Sequence, residues 1–195
     1  MRPPRPLSRL SAGLLVGAAL MAGAVAHAQE SALRRYELPN LDTLELRLPA
    51  GWVDNVDQPP GGGPPTIELG PAEGAPFQVF VTPEWTDPTA PEIRELPALR
   101  DAIRDAAERI KPQAVESFLE VRQLNGINGI GYYFAATDRD ARADEFKYMS
   151  QGVLQVGDLT VWFTILTNDG QDTVAVEALT ILQTAVHRRT GLDQR

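Results

Sequence analysis

The sequence predicts an α+β fold: a single, mainly antiparallel sheet covered by helices on both faces, an α/β/α sandwich. Three observations predict it. Short strand-like runs recur through the chain beyond residue 28, and one of them, Leu44–Leu48, alternates apolar and polar residues with a period of two. Two stretches switch to a helical period. Two strand-like runs, Tyr132–Ala136 and Thr160–Thr167, are bulky at successive positions, which reads as central strands covered above and below.

The chain has 195 residues, a net charge of −8, 43% hydrophobic residues and no cysteine. Such a composition is that of a globular protein. It excludes a disulfide scaffold, Cys-ligated zinc or iron–sulfur and a Cys nucleophile. The acid excess argues against nucleic acid or anionic lipid as the main partner, because both need a basic face.

Residues 1–28 read as an address. Arg2, Arg5 and Arg9 precede an apolar run from Leu10 to Val25, and Ala26-His27-Ala28 supplies the small residues a signal peptidase reads. The run is short for a membrane span of about 20 residues. Cleavage between Ala28 and Gln29 removes three arginines and no acid, taking the charge from −8 to −11. The expected product, 29–195, is one domain without a stable membrane span, periplasmic or secreted after Sec-type export.

The elements follow in order. Tyr36–Pro39 and Leu44–Leu48 are strands, the second with Leu44, Leu46 and Leu48 on one side and Glu45 and Arg47 on the other. Gln58–Pro65, with four prolines and three glycines, is a surface loop. Thr66–Leu69 and Phe77–Thr82 form a hairpin around Gly70–Gly74. Pro97–Lys111 is a helix whose stripe is Leu99, Ile103, Ala106, Ala107 and Ile110; Pro97 suits its first turn and Pro112 its end. Phe118–Leu124 and Ile130–Thr137 flank two Asn-Gly turn signals. Phe146–Val156 and Leu159–Thr167 flank Gly157-Asp158, a two-residue hairpin pair. A last helix carries Val174, Ala178, Ile181, Leu182, Ala185 and Val186, with Asp172 or Thr173 as cap, Arg188 and Arg189 at its negative end and Gly191 as its stop.

The runs Gly131–Asp138, Glu145–Gly152 and Phe163–Gly170, with Leu48–Trp52 and Pro76–Pro83, resemble a family of uncharacterised exported bacterial proteins over most of Leu44–Val186. More remotely, the order of elements is similar to the PsbP-like fold. That fold includes the extrinsic PsbP subunit of photosystem II and a nuclear-import factor that binds the GTPase Ran. The resemblance implies an antiparallel sheet between helices and a binding or assembly role. No functional residue carries over, because no matching motif is present.

No catalytic, cofactor-binding or metal-ligating set is expected. His187 is the one histidine beyond the address, and its spacing brings no nucleophile or acid to it; it reads as a partly exposed side chain at a helix terminus. Asp138, Asp140, Asp144 and Glu145 fail the helix–loop–helix calcium spacing, since Arg142, Ala143 and Met149 stand at positions five, six and twelve. They read as a solvated hairpin tip. Asp54, Asp57, Glu68 and Glu73 could pair for acid–base work, but spacing cannot show their separation. Trp162 reads as core, and Trp52 as packed under a loop. If a ligand groove exists, Trp85 and Tyr133 are expected in its wall. The functional expectation is a non-enzymatic envelope protein that binds a protein partner or a small apolar ligand. The alternatives are a carboxylate-dependent periplasmic hydrolase and a purely structural envelope domain.

Overall fold

A computed structural model describes residues 31–38, 42–85 and 95–189. Among them the chain forms ten strands and two α-helices. The strands are β1 (Ala32–Glu37), β2 (Thr43–Leu48), β3 (Trp52–Asp57), β4 (Thr66–Pro71), β5 (Gln78–Trp85), β6 (Arg122–Gly126), β7 (Gly129–Thr137), β8 (Tyr148–Val156), β9 (Leu159–Thr167) and β10 (Val186–Arg188). The helices are α1 (Leu96–Ile110) and α2 (Asp172–Gln183), and a short 3-10 turn, Lys111–Gln113, follows α1.

The strands make two sheets, not one, and this corrects the predicted architecture. Seven pair in the order β3-β4-β5-β9-β8-β7-β6, and three in the order β1-β2-β10. All pairings are antiparallel. Nor is the large sheet covered by helices alone. One face of the large sheet is covered by the small sheet together with α2. On the other face lies α1, which packs on β7 and β8. The alternation in Leu44–Leu48 identifies a strand, but it cannot say which sheet the strand joins. Leu44, Leu46 and Leu48 are at most 1% exposed because β2 stacks over the large sheet, meeting Ile67, Val79, Val161 and Phe163 in one core.

β9 shows how the two faces differ. Val161, Phe163 and Ile165 enter that main core. Trp162, Thr164 and Leu166, on the other side, are only half-buried. A second core, under α1, gathers Leu99, Ile103, Ala107, Leu119, Phe134 and Val153. Gly157 turns the β8–β9 hairpin at φ +61°, a conformation natural to glycine.

Two helix-end readings change. Gln171, not Asp172 or Thr173, organises the start of α2: its side chain accepts from Asn168 N at 2.7 Å and donates to the carbonyls of Ala75 and Pro76. The helix stops at Gln183. Val186–Arg188 then leaves the helical pattern to pair with Thr43–Glu45, and Arg188 reaches Glu45 across that ladder at 3.3 Å instead of meeting a helix end. Phe118–Val121, predicted as strand, also falls outside β6. Just before it, Val115 N donates to Thr137 O at 2.8 Å, and Glu116 accepts from Thr137 N at 2.9 Å and from Thr137 Oγ1 at 2.7 Å. Burial raises the Glu116 pKa, but these bonds outweigh it and hold the group below its ordinary value.

Candidate functional site

The end of α1 builds a half-enclosed cavity of about 150 Å³ against the large sheet. Ala136, Met149 and Leu166 stand in one cross-strand row over β7, β8 and β9 and form its floor. Ile110 and Ala114 close it from α1 and the turn beyond, and Phe146 from the segment before β8. Two alanines among longer side chains leave the space. Gln113, Thr137, Asp138 and Lys147 complete the lining.

The frame around the cavity is pinned by hydrogen bonds. Arg139 donates its amide to Gln113 O at 2.9 Å and its guanidinium to Ala114 O at 2.6 Å. Asp138 N donates to Lys147 O at 2.8 Å, and Lys147 N to Asn168 Oδ1 at 3.0 Å. At the rim Lys147 Nζ lies 2.9 Å from Asp169 Oδ1, which also accepts from Tyr148 Oη at 2.6 Å. The bonds from Tyr148 and Lys147 hold Asp169 below the ordinary carboxylate range, and the Asp169 bond holds Lys147 above its ordinary value. A cavity of this size with an apolar floor has room for a benzene-sized molecule or one apolar side chain.

Of the site candidates singled out by sequence, Asp138 lines the cavity, and no other described one does. Tyr133, on β7, is half-buried on the opposite face of the sheet, packed beside the main core, where Glu120 and then Tyr133 raise the pKa of Arg122. Trp85 ends β5 opposite Leu159, three strands from β7, and its side chain lies outside the described residues. So do Ala26, Ala28, Gln29, Pro39 and Gly191. Trp52 is buried against Phe77 with ring centroids 4.5 Å apart.

His187 is not at a helix terminus and its side chain is only 3% exposed. Its Nε2 lies 3.2 Å from Asp42 Oδ2, while Nδ1 accepts from Asp158 N at 3.3 Å, an arrangement that assigns the proton to Nε2. The histidine thus ties β10 to the β8–β9 turn and to the start of β2. The four acids considered for acid–base work do not converge. Asp54 faces the small sheet, 3.3 Å from Arg34, whereas Asp57 and Glu68 project from the opposite face and Glu73 is exposed in the β4–β5 connection. In the β7–β8 loop, Asp138 Oδ1 accepts from Asp140 N, and Arg142 pairs with Glu145. Among the described residues no group of three or more His, Asp or Glu is placed to hold a metal ion.

The cavity residues Ala114, Ala136, Phe146, Met149 and Leu166 carry no sequence signal of a site. Their only signature is a step from small to large side chains across three strands, visible once the register is known.

The solution structure of cyanobacterial PsbP (CyanoP) from Synechocystis sp. PCC 6803 is similar to this chain, with a TM-score of 0.51 and 14% identity over 84% of this chain and 97% of that one. The likeness shows a PsbP-like fold and, at that identity, the fold alone. No family model matches the chain, and no curated protein matches it. Among the described residues no helix is long and apolar enough to cross a membrane.

Proposed function

We propose that the chain is an exported, non-enzymatic envelope protein that binds a small apolar ligand in the cavity at the end of α1. The observation that carries the reading is that cavity, about 150 Å³ with an apolar floor in a pinned frame. The dispersal of the carboxylates supports a binding role over hydrolysis, since Asp54 and Glu68 stand on opposite faces. The leader pattern ending at Ala28 supports export.

Methyl NMR of the chain titrated with toluene tests the ligand site. The Ala114, Ala136, Met149 and Leu166 methyl signals shift together and saturably, and Ala136→Leu, which fills the space, abolishes the shifts while leaving the spectrum folded. Absence of any saturable shift in the unmodified protein, or shifts that survive Ala136→Leu, overturns the assignment.

A further inference from the structure

Because α1 packs on β7 and β8, the same face of the large sheet over β9, β5, β4 and β3 is left without a helix among the described residues. Its composition is distinctive. The four strands β3, β4, β5 and β9 contain no Lys, Arg or His at all. The register sends Asp57, Glu68 and Glu84 to this face. Asp57 stands opposite Thr66, whose hydroxyl lies 3.0 Å from that of Thr82; Glu68 is opposite Phe80; and Glu84 accepts from the Trp162 indole at 2.9 Å. Glu68, Glu84 and Asp57 are all exposed. Between the acids lie apolar groups: Val53 is 47% exposed, and Phe80 and Trp162 are half-buried.

The face also has a depression of about 290 Å³ with Val53, Phe80 and Glu68 in its lining and Gly70 at its base. A Cβ built on Gly70 would meet nothing closer than Phe77 O at 3.4 Å, so the space above this residue is open. Its place beside Phe80 and Val53 makes it a seat for one apolar side chain.

We propose that this face docks a cationic segment of a partner protein, seating an apolar side chain over Gly70 while its Lys or Arg side chains meet Glu68, Asp57 and Glu84. Charge chooses the occupant. The strands offer acids without a single compensating base, so a basic partner is attracted and steered to the face. A second copy of this chain, of net charge −8, would place acid against acid. The exposed carboxylates contribute approach and register, and the buried apolar anchor contributes most of the affinity.

The test uses a synthetic peptide alternating Lys with Leu and Phe, and a control in which Glu replaces Lys, each titrated into isotope-labelled full chain at low and moderate salt. The expected result is shifts centred on Val53, Glu68, Gly70, Phe80 and the Trp162 indole for the Lys peptide alone, weakening with salt. Asp57→Lys with Glu68→Lys weakens binding at least tenfold. Gly70→Val, which fills the depression, weakens it at least fivefold and leaves the salt dependence unchanged, the readout that separates anchoring from bulk charge attraction. Equal binding of the Glu peptide, shifts spread over the other acidic surfaces, or insensitivity to Gly70→Val overturns the proposal. So does a concentration-dependent dimer, seen by sedimentation, that buries this face. Ala136→Leu, which blocks the α1 cavity, leaves peptide binding intact, so failure here and failure of the small-ligand reading are separately visible.

Discussion

Gly152, in the middle of β8, tests the packing of the large sheet most directly. It is paired with Tyr133 on β7 and Phe163 on β9. A Cβ added at this position would lie 2.4 Å from Phe163 Cζ, 2.6 Å from Tyr132 O and 2.6 Å from Tyr133 Cβ. Ordinary contact needs roughly 1 Å more at each. The Phe163 ring, 2% exposed, has little room to retreat, and the other two atoms belong to backbone or to a Cβ that the backbone fixes. Overpacking of this kind costs ~1–3 kcal/mol, and the rigidity of two of the three contacts places Gly152→Ala at the upper end. For a chain of this size about 3 kcal/mol lowers Tm by roughly 6–12 °C. Urea unfolding followed by tryptophan fluorescence measures the loss as a shift in midpoint at constant slope. Phe163→Leu, by removing the ring edge, should recover part of the loss in the double variant while being destabilising alone, a coupling a double-mutant cycle detects. A Gly152→Ala protein as stable as the parent would refute the pairing of Tyr133 and Phe163 over Gly152, and with it the register of three central strands.

Three further outcomes are expected. Glu45 sits between Arg35 at 3.0 Å and Arg188 at 3.3 Å; burial raises its pKa, but the bonds from Arg35 and Arg188 outweigh it and leave it depressed. A depressed folded pKa gives stability that is present above the unfolded glutamate value and lost as pH falls through the folded one; Glu45→Gln should therefore cost about 1 kcal/mol at pH 7 and nearly nothing at pH 3, by urea midpoints, and an equal cost at both pH values would contradict the bridge. His187→Ala removes the partner of Asp42, a carboxylate whose side chain is 7% exposed, and should cost about 2 kcal/mol by the same assay while leaving toluene binding unchanged; a binding loss without a stability loss would place His187 in the site. Mass spectrometry of a periplasmic extract should find the mature chain beginning at Gln29, in open or cyclised form, and intact Met1 in the cytoplasm would overturn export.

Local structure was largely legible, and layer assignment was not. Leu159–Thr167 and its Gly157-Asp158 turn were read at their true bounds, because both the alternation and the turn chemistry are local. The apolar stripe of α1 was read with its buried members Leu99, Ile103, Ala106 and Ala107. β10 escaped because three residues have no period, and their strand conformation comes from pairing with Glu45, Leu44 and Thr43, some 140 positions away. The burial of His187 follows from that same pairing, so a reading that continued the helix to Val186 necessarily left the imidazole at a helix end. The small sheet escaped for a related reason: alternation in β2 reports that one side is buried, and both stacking over a sheet and joining its edge satisfy that condition.

The half-covered face left a trace in β9. Its main-core side is Leu159, Val161, Phe163 and Ile165, with a single threonine, Thr167, at its end; the other side is Thr160, Trp162, Thr164 and Leu166. Read as bulk alone, both sides are large, and the strand looks sandwiched. Read by chemistry, the second side places threonine at every other position, a residue that fits a pleated surface without demanding removal from water. Thr164 and Trp162 are accordingly half-buried, while Thr160, near the turn, is 2% exposed. The same chemistry continues outward through Thr82 and Thr66 to Asp57. A buried face of equal bulk would carry valine where these threonines stand, so the polarity gradient from Val153 under α1 to Asp57 at the sheet edge marks where the helix layer stops.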